Sequence, residues 1–232
     1  MIRFYRKNEM LFSIICIVIY VVVFGSLRNL GDDNPYTTAG LAAMSVALIM
    51  FALRNGLADK FGLTSWATNQ RGLLYLVPLW VITTSNLWGG IEPHYEGVGL
   101  ACAVATMTLV GVVEEFVFRG LLFNAMLKDS SETTAIVVSS VTFGTGHIVN
   151  LLTGHATLEV GIQIVFAVAL GFVFTLVYHK GGSLLPCIVA HSLIDVFSVF
   201  SAATGIVDWI SVAVCIAIAV AYSAYLWKQR SA

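Results

Sequence analysis

The feature that most constrains this chain is a charged cluster set inside an apolar run. From about Val98 to Leu127 the charged residues are confined to Glu114-Glu115-Phe116-Val117-Phe118-Arg119. The run reads as a membrane-spanning helix. There each charged group near the bilayer centre costs roughly 2.5 to 3.5 kcal/mol on insertion scales, so such residues face a bundle interior or a wet cavity and mark function. Side chains four apart on a helix share a face, whereas neighbours diverge by about 100°. Glu115 and Arg119 can therefore neutralise each other, which leaves Glu114 aimed in another direction with no local cation to hold it. Glu114 is the candidate reagent. A role as simple helix-to-helix glue would not require the second glutamate.

The rest of the chain agrees with a membrane setting. Hydrophobic residues make up 58% of the 232 and charged residues 11%, with a mean hydropathy of +0.88, against about 25% charged in an ordinary soluble domain. A net charge of −1 supplies no field for nucleic acid, and no basic arm or aromatic-basic stripe is present. Nucleic acid is thereby set aside as a partner. Cys16, Cys102, Cys187 and Cys215 lie within apolar runs without CxxC spacing, so they read as small core or lipid-facing residues. The basic start at Arg3, Arg6 and Lys7 and the apolar run that follows lack an A-x-A-like cleavage site, which favours an uncleaved first span.

Apolar runs separated by polar punctuation predict an all-α polytopic bundle of about eight spans, near 10–27, 37–54, 72–88, 98–127, 133–152, 158–178, 183–203 and 207–227. The fourth is too long for one perpendicular crossing and must tilt or include an interfacial portion. With the N-terminus inside, ten of the twelve basic residues fall in cytoplasmic segments, the exceptions being Arg28 and Arg119. Both termini are thus expected in the cytoplasm. The segment Arg54 to Arg71 is expected at the inner surface, with Phe61, Leu63 and Trp66 as interfacial anchors. One integral membrane domain is expected, with three N-terminal helices in 1–97, a core in 98–203 and a last helix in 204–232.

Two further motifs place ionisable groups in the membrane. Phe143 and His147 are four apart, with Gly144 and Gly146 between them permitting close approach of a neighbouring backbone. His191 and Asp195 share a stripe by the same spacing. Counted along each helix from its cytoplasmic marker, Glu114, His147, His191 and Asp195 lie at roughly 16 to 22 Å, one layer on three helices. A joint site explains that coincidence better than independent core histidines. Asn150 could line the same cavity. His94, His155 and His179 fall in loops or at span ends and are weaker candidates, and the short inner turns suggest a cytoplasmic opening for water.

The ordered triple Glu114-Glu115-x-x-x-Arg119, Phe143-x-x-x-His147 and His191-x-x-x-Asp195 resembles the CPBP family over roughly Leu100 to Phe200. That family comprises CAAX prenyl proteases of the Ras-converting-enzyme type and bacterial homologues linked to bacteriocin processing and self-immunity. The resemblance implies an intramembrane endopeptidase of a bacterial cell membrane acting on a membrane-associated peptide or protein, prenylated or not. It implies that Glu114 and His147 activate water for attack on the scissile carbonyl and that His191 and residue 195 stabilise the oxyanion. Glu115, Arg119 and Phe143 take supporting positions. Where the Ras-converting enzymes have Asn, this chain has Asp195. An ionised Asp195 cannot donate to an oxyanion, so it is protonated by burial, orients His191 or acts elsewhere. The mechanism implied needs no cofactor. The alternative on the same residues is a zinc protease with Glu114, His147, His191 and Asp195 as ligands, although HExxH is absent. A different class, a proton-coupled transporter or a scaffold, is also compatible with intramembrane Glu and His, but neither inverted repeats nor matched broken helices are visible.

Overall fold

The ends of the apolar runs are set by local capping. In the computed structural model, which describes residues 1–148, 157–202 and 205–229, a short helix α1 (Ile2–Lys7) is followed by α2 (Glu9–Arg28). The Asn8 side chain opens α2 by accepting from the Leu11 N–H at 2.8 Å, satisfying one of the donors that a helix start leaves unpaired. Asn34 does the same for α3 (Pro35–Arg54), accepting from Tyr36 N–H at 2.9 Å with Pro35 at the first helical position. The remaining helices are α4 (Val77–Thr83), α5 (Gly97–Glu115), α6 (Asn124–Asp129), α7 (Glu132–Thr145), α8 (Thr157–Gly181), α9 (Leu185–Ser198) and α10 (Ile206–Trp227). A π-helical segment, Phe116–Phe123, joins α5 to α6 as one rod.

The fold is an all-α membrane helix bundle, and among the described residues the β-type pairing is a single bridge between Ile91 and Ser201. Five helices have the length and apolarity to cross a membrane: α2, α3, the rod Gly97–Asp129, α8 and α10. The expected eight full spans are thus corrected to five, with shorter helices at the other three places. Near 72–88 the cause is visible. Leu74, Tyr75 and Leu76 all adopt positive φ, 50°, 52° and 62°, a conformation that bulky residues rarely take. The chain makes a left-handed turn before α4, whose seven residues rise only about 10 Å against roughly 30 Å of hydrocarbon. Helices α7 and α9 have 14 residues each. Residues 149–152 of the fifth expected span, Asn150 among them, and His155 lie outside the described residues.

Small residues let the helices that carry the site approach closely. A Cβ on Gly171 of α8 would lie 2.7 Å from the Ser140 carbonyl oxygen of α7, and one on Gly144 of α7 would lie 2.6 Å from Val168 N of α8. Where α5 crosses α9, a Cβ on Gly111 would lie 2.6 Å from Ser192 N, and the Ser192 hydroxyl donates to Thr108 O at 2.9 Å. These crossings fit the small-residue packing of membrane helices, where close van der Waals contact rather than water exclusion drives association. All four cysteines are free, Cys187 and Cys215 buried and the other two half-buried.

Charge separates the two ends of the bundle. At one end Glu9 accepts from Lys60 Nζ at 2.6 Å, Lys128 Nζ at 3.4 Å and Tyr5 Oη at 3.2 Å. Burial first, and then the Glu9 charge, push the Tyr5 phenol well above its ordinary range. Glu132 pairs there with Lys180 at 2.9 Å and His179 at 3.0 Å. The opposite end carries Arg28, 3.5 Å from Asp32, and a short strap in which Glu92 N donates to Phe200 O at 2.9 Å and His94 N to Val199 O at 3.0 Å. Between Arg54 and Arg71 the chain is a series of turns in which Phe61 is fully buried while Trp66 is 44% exposed. Phe61 is therefore a core residue, a correction to its expected interfacial role. Gly171→Ala should destabilise the purified protein in detergent by about 1 to 3 kcal/mol through overpacking, read as a lower melting temperature. Gly161→Ala on the same helix, where a Cβ meets nothing within 4 Å, should leave it unchanged or raised.

Candidate functional site

The site is built on one fully buried carboxylate. Glu115, at the end of α5, and Arg119, in the π segment, each have zero side-chain exposure and are joined by Arg119 Nη1 to Glu115 Oε1 at 2.7 Å. The same Oε1 accepts from His191 Nδ1 of α9 at 2.7 Å. Arg119 Nη2 donates to Gly171 O at 3.3 Å, and its guanidinium lies 4.1 Å from the Phe143 ring centroid and 5.3 Å from that of Phe174. The expected four-residue pairing of Glu115 with Arg119 is thus present, and it extends to a third partner on α9.

Because Nδ1 is occupied by Glu115, the His191 ring is fixed with Nε2 turned toward Glu114 and Asp195. Nε2 lies 3.5 Å from Glu114 Oε2 and 3.5 Å from Asp195 Oδ2. The ring stacks on Phe174 at 5.3 Å between centroids and meets the edge of Phe143 at 5.5 Å. Phe143 also contacts His147 edge-on at 5.8 Å, so one aromatic ring separates the two histidines.

Glu114 points away from Arg119 as helical geometry requires. Its Oε1 accepts from the Tyr20 hydroxyl of α2 at 2.5 Å, and its side chain is 13% exposed. It lines a cavity of about 450 Å³ whose walls include Tyr20, Val21, Val22, Phe24, Phe118, Phe143, Gly146 and His147 and which reaches Ser26, Arg28 and Asn29. Glu114 and His147 thus face one space without a hydrogen bond between them among the described residues. His147 Nδ1 is buried without a hydrogen-bond partner. The two glycines of this motif divide the labour: Gly144 is the contact with α8, whereas Gly146 meets nothing within 4 Å and leaves the cavity open.

Tyr20 is a site residue that sequence reasoning overlooked. Its signal was depth, since it lies roughly 16 Å along α2 from Glu9, in the layer of the other site residues. The cavity follows α2 from Tyr20 to Asn29, and a smaller one of about 170 Å³ lies at the lysine-rich end between Lys60, Asn124 and Tyr178.

The π segment itself sits directly after the two glutamates. Its widened turn leaves carbonyls to satisfy, and the Asn124 amide donates to Gly120 O at 2.9 Å and Arg119 O at 3.3 Å. Such interruptions of α geometry recur at functional sites. All eight residues of the segment are buried.

With Nδ1 of His191 held by Glu115, only Nε2 could reach a metal, and its 3.5 Å separations from Glu114 Oε2 and Asp195 Oδ2 are close to the roughly 3.3 Å between ligands of one ion with bonds of about 2 Å. Among the described residues no group of three or more His, Cys, Asp or Glu side chains is disposed to hold a metal ion.

Comparison with known proteins covers the stretch that holds these residues. The family described as Type II CAAX prenyl endopeptidase Rce1-like matches residues 96–197, a stretch that contains every residue of the ordered triple. That stretch is similar to the Rce1-like family. A relative, "Putative membrane peptidase YdiL" of Bacillus subtilis (strain 168), is 28% identical over 198 residues, covering 72% of this chain and 74% of its own. No solved structure gives a significant match. Within the Rce1-like stretch the buried Glu115–Arg119–His191 group is the structural centre. Arg119→Met should destabilise the protein by about 3 to 5 kcal/mol, because it leaves an unpaired charge in a dry interior. Thermal unfolding in detergent measures this, and adding Glu115→Gln to the same chain should recover part of the loss.

Proposed function

We propose that the chain is an intramembrane endopeptidase that hydrolyses a peptide bond with water activated at Glu114. The observation that carries this reading is the division of labour between adjacent glutamates. Glu115 is consumed by Arg119 and His191, while Glu114 keeps an oxygen directed at a cavity shared with His147. The likeness of 96–197 to the Rce1-like endopeptidases and similarity to a protein named as a membrane peptidase support it.

Tyr20 donates to Oε1 of Glu114, which leaves Oε2 to accept a proton from water lying in the cavity. As that water attacks the scissile carbonyl, its proton passes to Glu114 and the carbonyl oxygen becomes the oxyanion. His147, facing Glu114 across the cavity, relays the proton to the departing amine when the C–N bond breaks. His191 presents Nε2 on the opposite side of Glu114; as an imidazolium it keeps Nδ1–H on Glu115 and stabilises the oxyanion by donating Nε2–H. Asp195, one turn further along α9 and 3.5 Å from Nε2, orients that imidazole rather than donating itself. The substrate is a membrane-associated peptide or protein whose apolar side chains suit the cavity walls. The working arrangement has eight membrane-embedded helical segments with both termini in the cytoplasm of a bacterial cell.

The test compares newly formed protein termini in membranes from cells carrying the wild-type chain or Glu114→Gln at matched abundance. Gln keeps an acceptor for Tyr20, so the fold is retained while the base is removed. Termini present only with the wild type are expected, with cleavage falling by about 10²- to 10⁴-fold in the variant. Identical termini in both membranes would sink the proteolytic reading.

A further inference from the structure

At the lysine-rich end the rod, α8 and the turns that follow α3 leave a second space between them, outside the site described above. It measures about 170 Å³, and its walls include Lys60, Phe123, Asn124, Leu127, Tyr178 and His179. That is the share of five or six water molecules at about 30 Å³ each, room for a phosphate group and its ester carbons. Asn124 and Leu127 precede Lys128, the marker of this membrane face, by four residues and by one, so the space lies within roughly 6 Å of that marker by helical rise. Hydrocarbon gives way to headgroups at this depth.

The chemistry of the walls is one-sided. No Asp or Glu lines the space. Glu9 and Glu132, which bond to wall residues, are already engaged, the first by Lys60 and Lys128 and the second by Lys180 and His179. Asp59 and Asp129 are exposed and outside the walls. The Lys60 ammonium has three N–H donors. Two go to Glu9 Oε2 at 2.6 Å and Tyr5 Oη at 2.7 Å, which leaves the third without a partner among the described residues. The Tyr178 hydroxyl accepts from the Asn124 amide at 2.7 Å. Its oxygen lies 3.4 Å from Lys60 O, beyond the range of about 2.5 to 3.0 Å for a good O–H···O bond, so its proton can turn to a better acceptor. Phe123 and Leu127 complete the walls with apolar surface.

We propose that this space receives the phosphate of an anionic phospholipid from the adjoining leaflet, with Lys60 as counter-ion, Tyr178 as hydroxyl donor, and Phe123 and Leu127 against the glycerol and first acyl carbons. Basic pockets between membrane helices hold anionic headgroups in this way. A zwitterionic headgroup suits the space less, because no wall carboxylate faces its ammonium. The lipid would tie the turn at Lys60, the rod at Leu127 and α8 at Tyr178 together, and a ligand bound only by the folded chain raises its stability.

Thermal unfolding of the purified chain in detergent, with phosphatidylglycerol, phosphatidylcholine or inorganic phosphate added, tests the assignment. Phosphatidylglycerol should raise the midpoint saturably, and the other two should leave it unchanged. Lys60→Gln should raise the half-saturating phosphatidylglycerol concentration about fivefold, the loss expected for one basic contact. Leu127→Trp fills the space without altering charge and should abolish the saturable shift, each variant being read against its own lipid-free midpoint. Arg6→Gln removes a charge from exposed α1 and should behave as the wild type. Absence of a saturable shift, an equal shift from phosphatidylcholine or from inorganic phosphate, or a full shift retained in Leu127→Trp overturns the inference. Weakening in Arg6→Gln equal to that in Lys60→Gln also overturns it, since that marks diffuse attraction to the basic end. None of these readouts depends on proteolysis, so they stand apart from the fate of the endopeptidase reading.

Discussion

Everything at the centre of this protein depends on the buried carboxylate of Glu115. A negative charge with no exposure in the middle of a membrane bundle is tolerable only when its partners are equally fixed, and here one oxygen receives both Arg119 and His191. That arrangement joins the rod that carries the glutamates to α9 and, through Arg119 and Gly171, to α8. It also decides the chemistry available next door. With Nδ1 of His191 engaged, only Nε2 faces Glu114 and Asp195, so the orientation of the imidazole between these carboxylates follows from the buried ion pair. The aromatic faces of Phe143 and Phe174 complete the enclosure by covering the guanidinium and the imidazole without competing for their hydrogen bonds.

The bundle is held differently at its two ends and in its middle. The basic end is clamped by Glu9, which receives Lys60 and Lys128, and by Glu132, which receives Lys180 and His179. The middle is held by glycine crossings, where α7 and α8 come within contact of each other's backbone at Gly144 and Gly171. At the far end, among the described residues, a bridge between Ile91 and Ser201 and a few backbone bonds join the strap after α4 to the end of α9.

Much of this was legible from residue spacing. The four-residue intervals paired Glu115 with Arg119, Phe143 with His147 and His191 with Asp195, because a helix fixes which side chains share a face regardless of what surrounds it. The layer of equal depth was legible for the same reason: rise per residue is a local property. What spacing could not supply was contact between helices. The His191–Glu115 bond, the Tyr20–Glu114 bond and the direction of the cavity all depend on how α2, α5 and α9 are rotated against one another. The span count failed near 72–88 because three consecutive residues with positive φ, Leu74 to Tyr75 to Leu76, are apolar residues with no turn signature. Phe61 looked like an interfacial anchor because its neighbours are polar, yet the loop folds it into the ring nest against Phe116.

The π segment ties the length of its helix to the identity of its reagent. The rod is pinned above by Glu115 to His191 and below by Lys128 to Glu9, and the widened turns of Phe116–Phe123 hold the register between those two anchors. A π turn holds one residue more than the α turn it replaces, so loss of one residue from this stretch with restoration of regular α pitch would keep the two anchors in register. Loss of one residue from an α-helical part of the rod would instead turn one half against the other by about 100°, the angle separating Glu114 from Glu115. Glu115 could not then stay on Arg119 and His191 while the lower anchor is kept, so insertions and deletions in this helix are constrained even where every substitution is apolar and otherwise harmless.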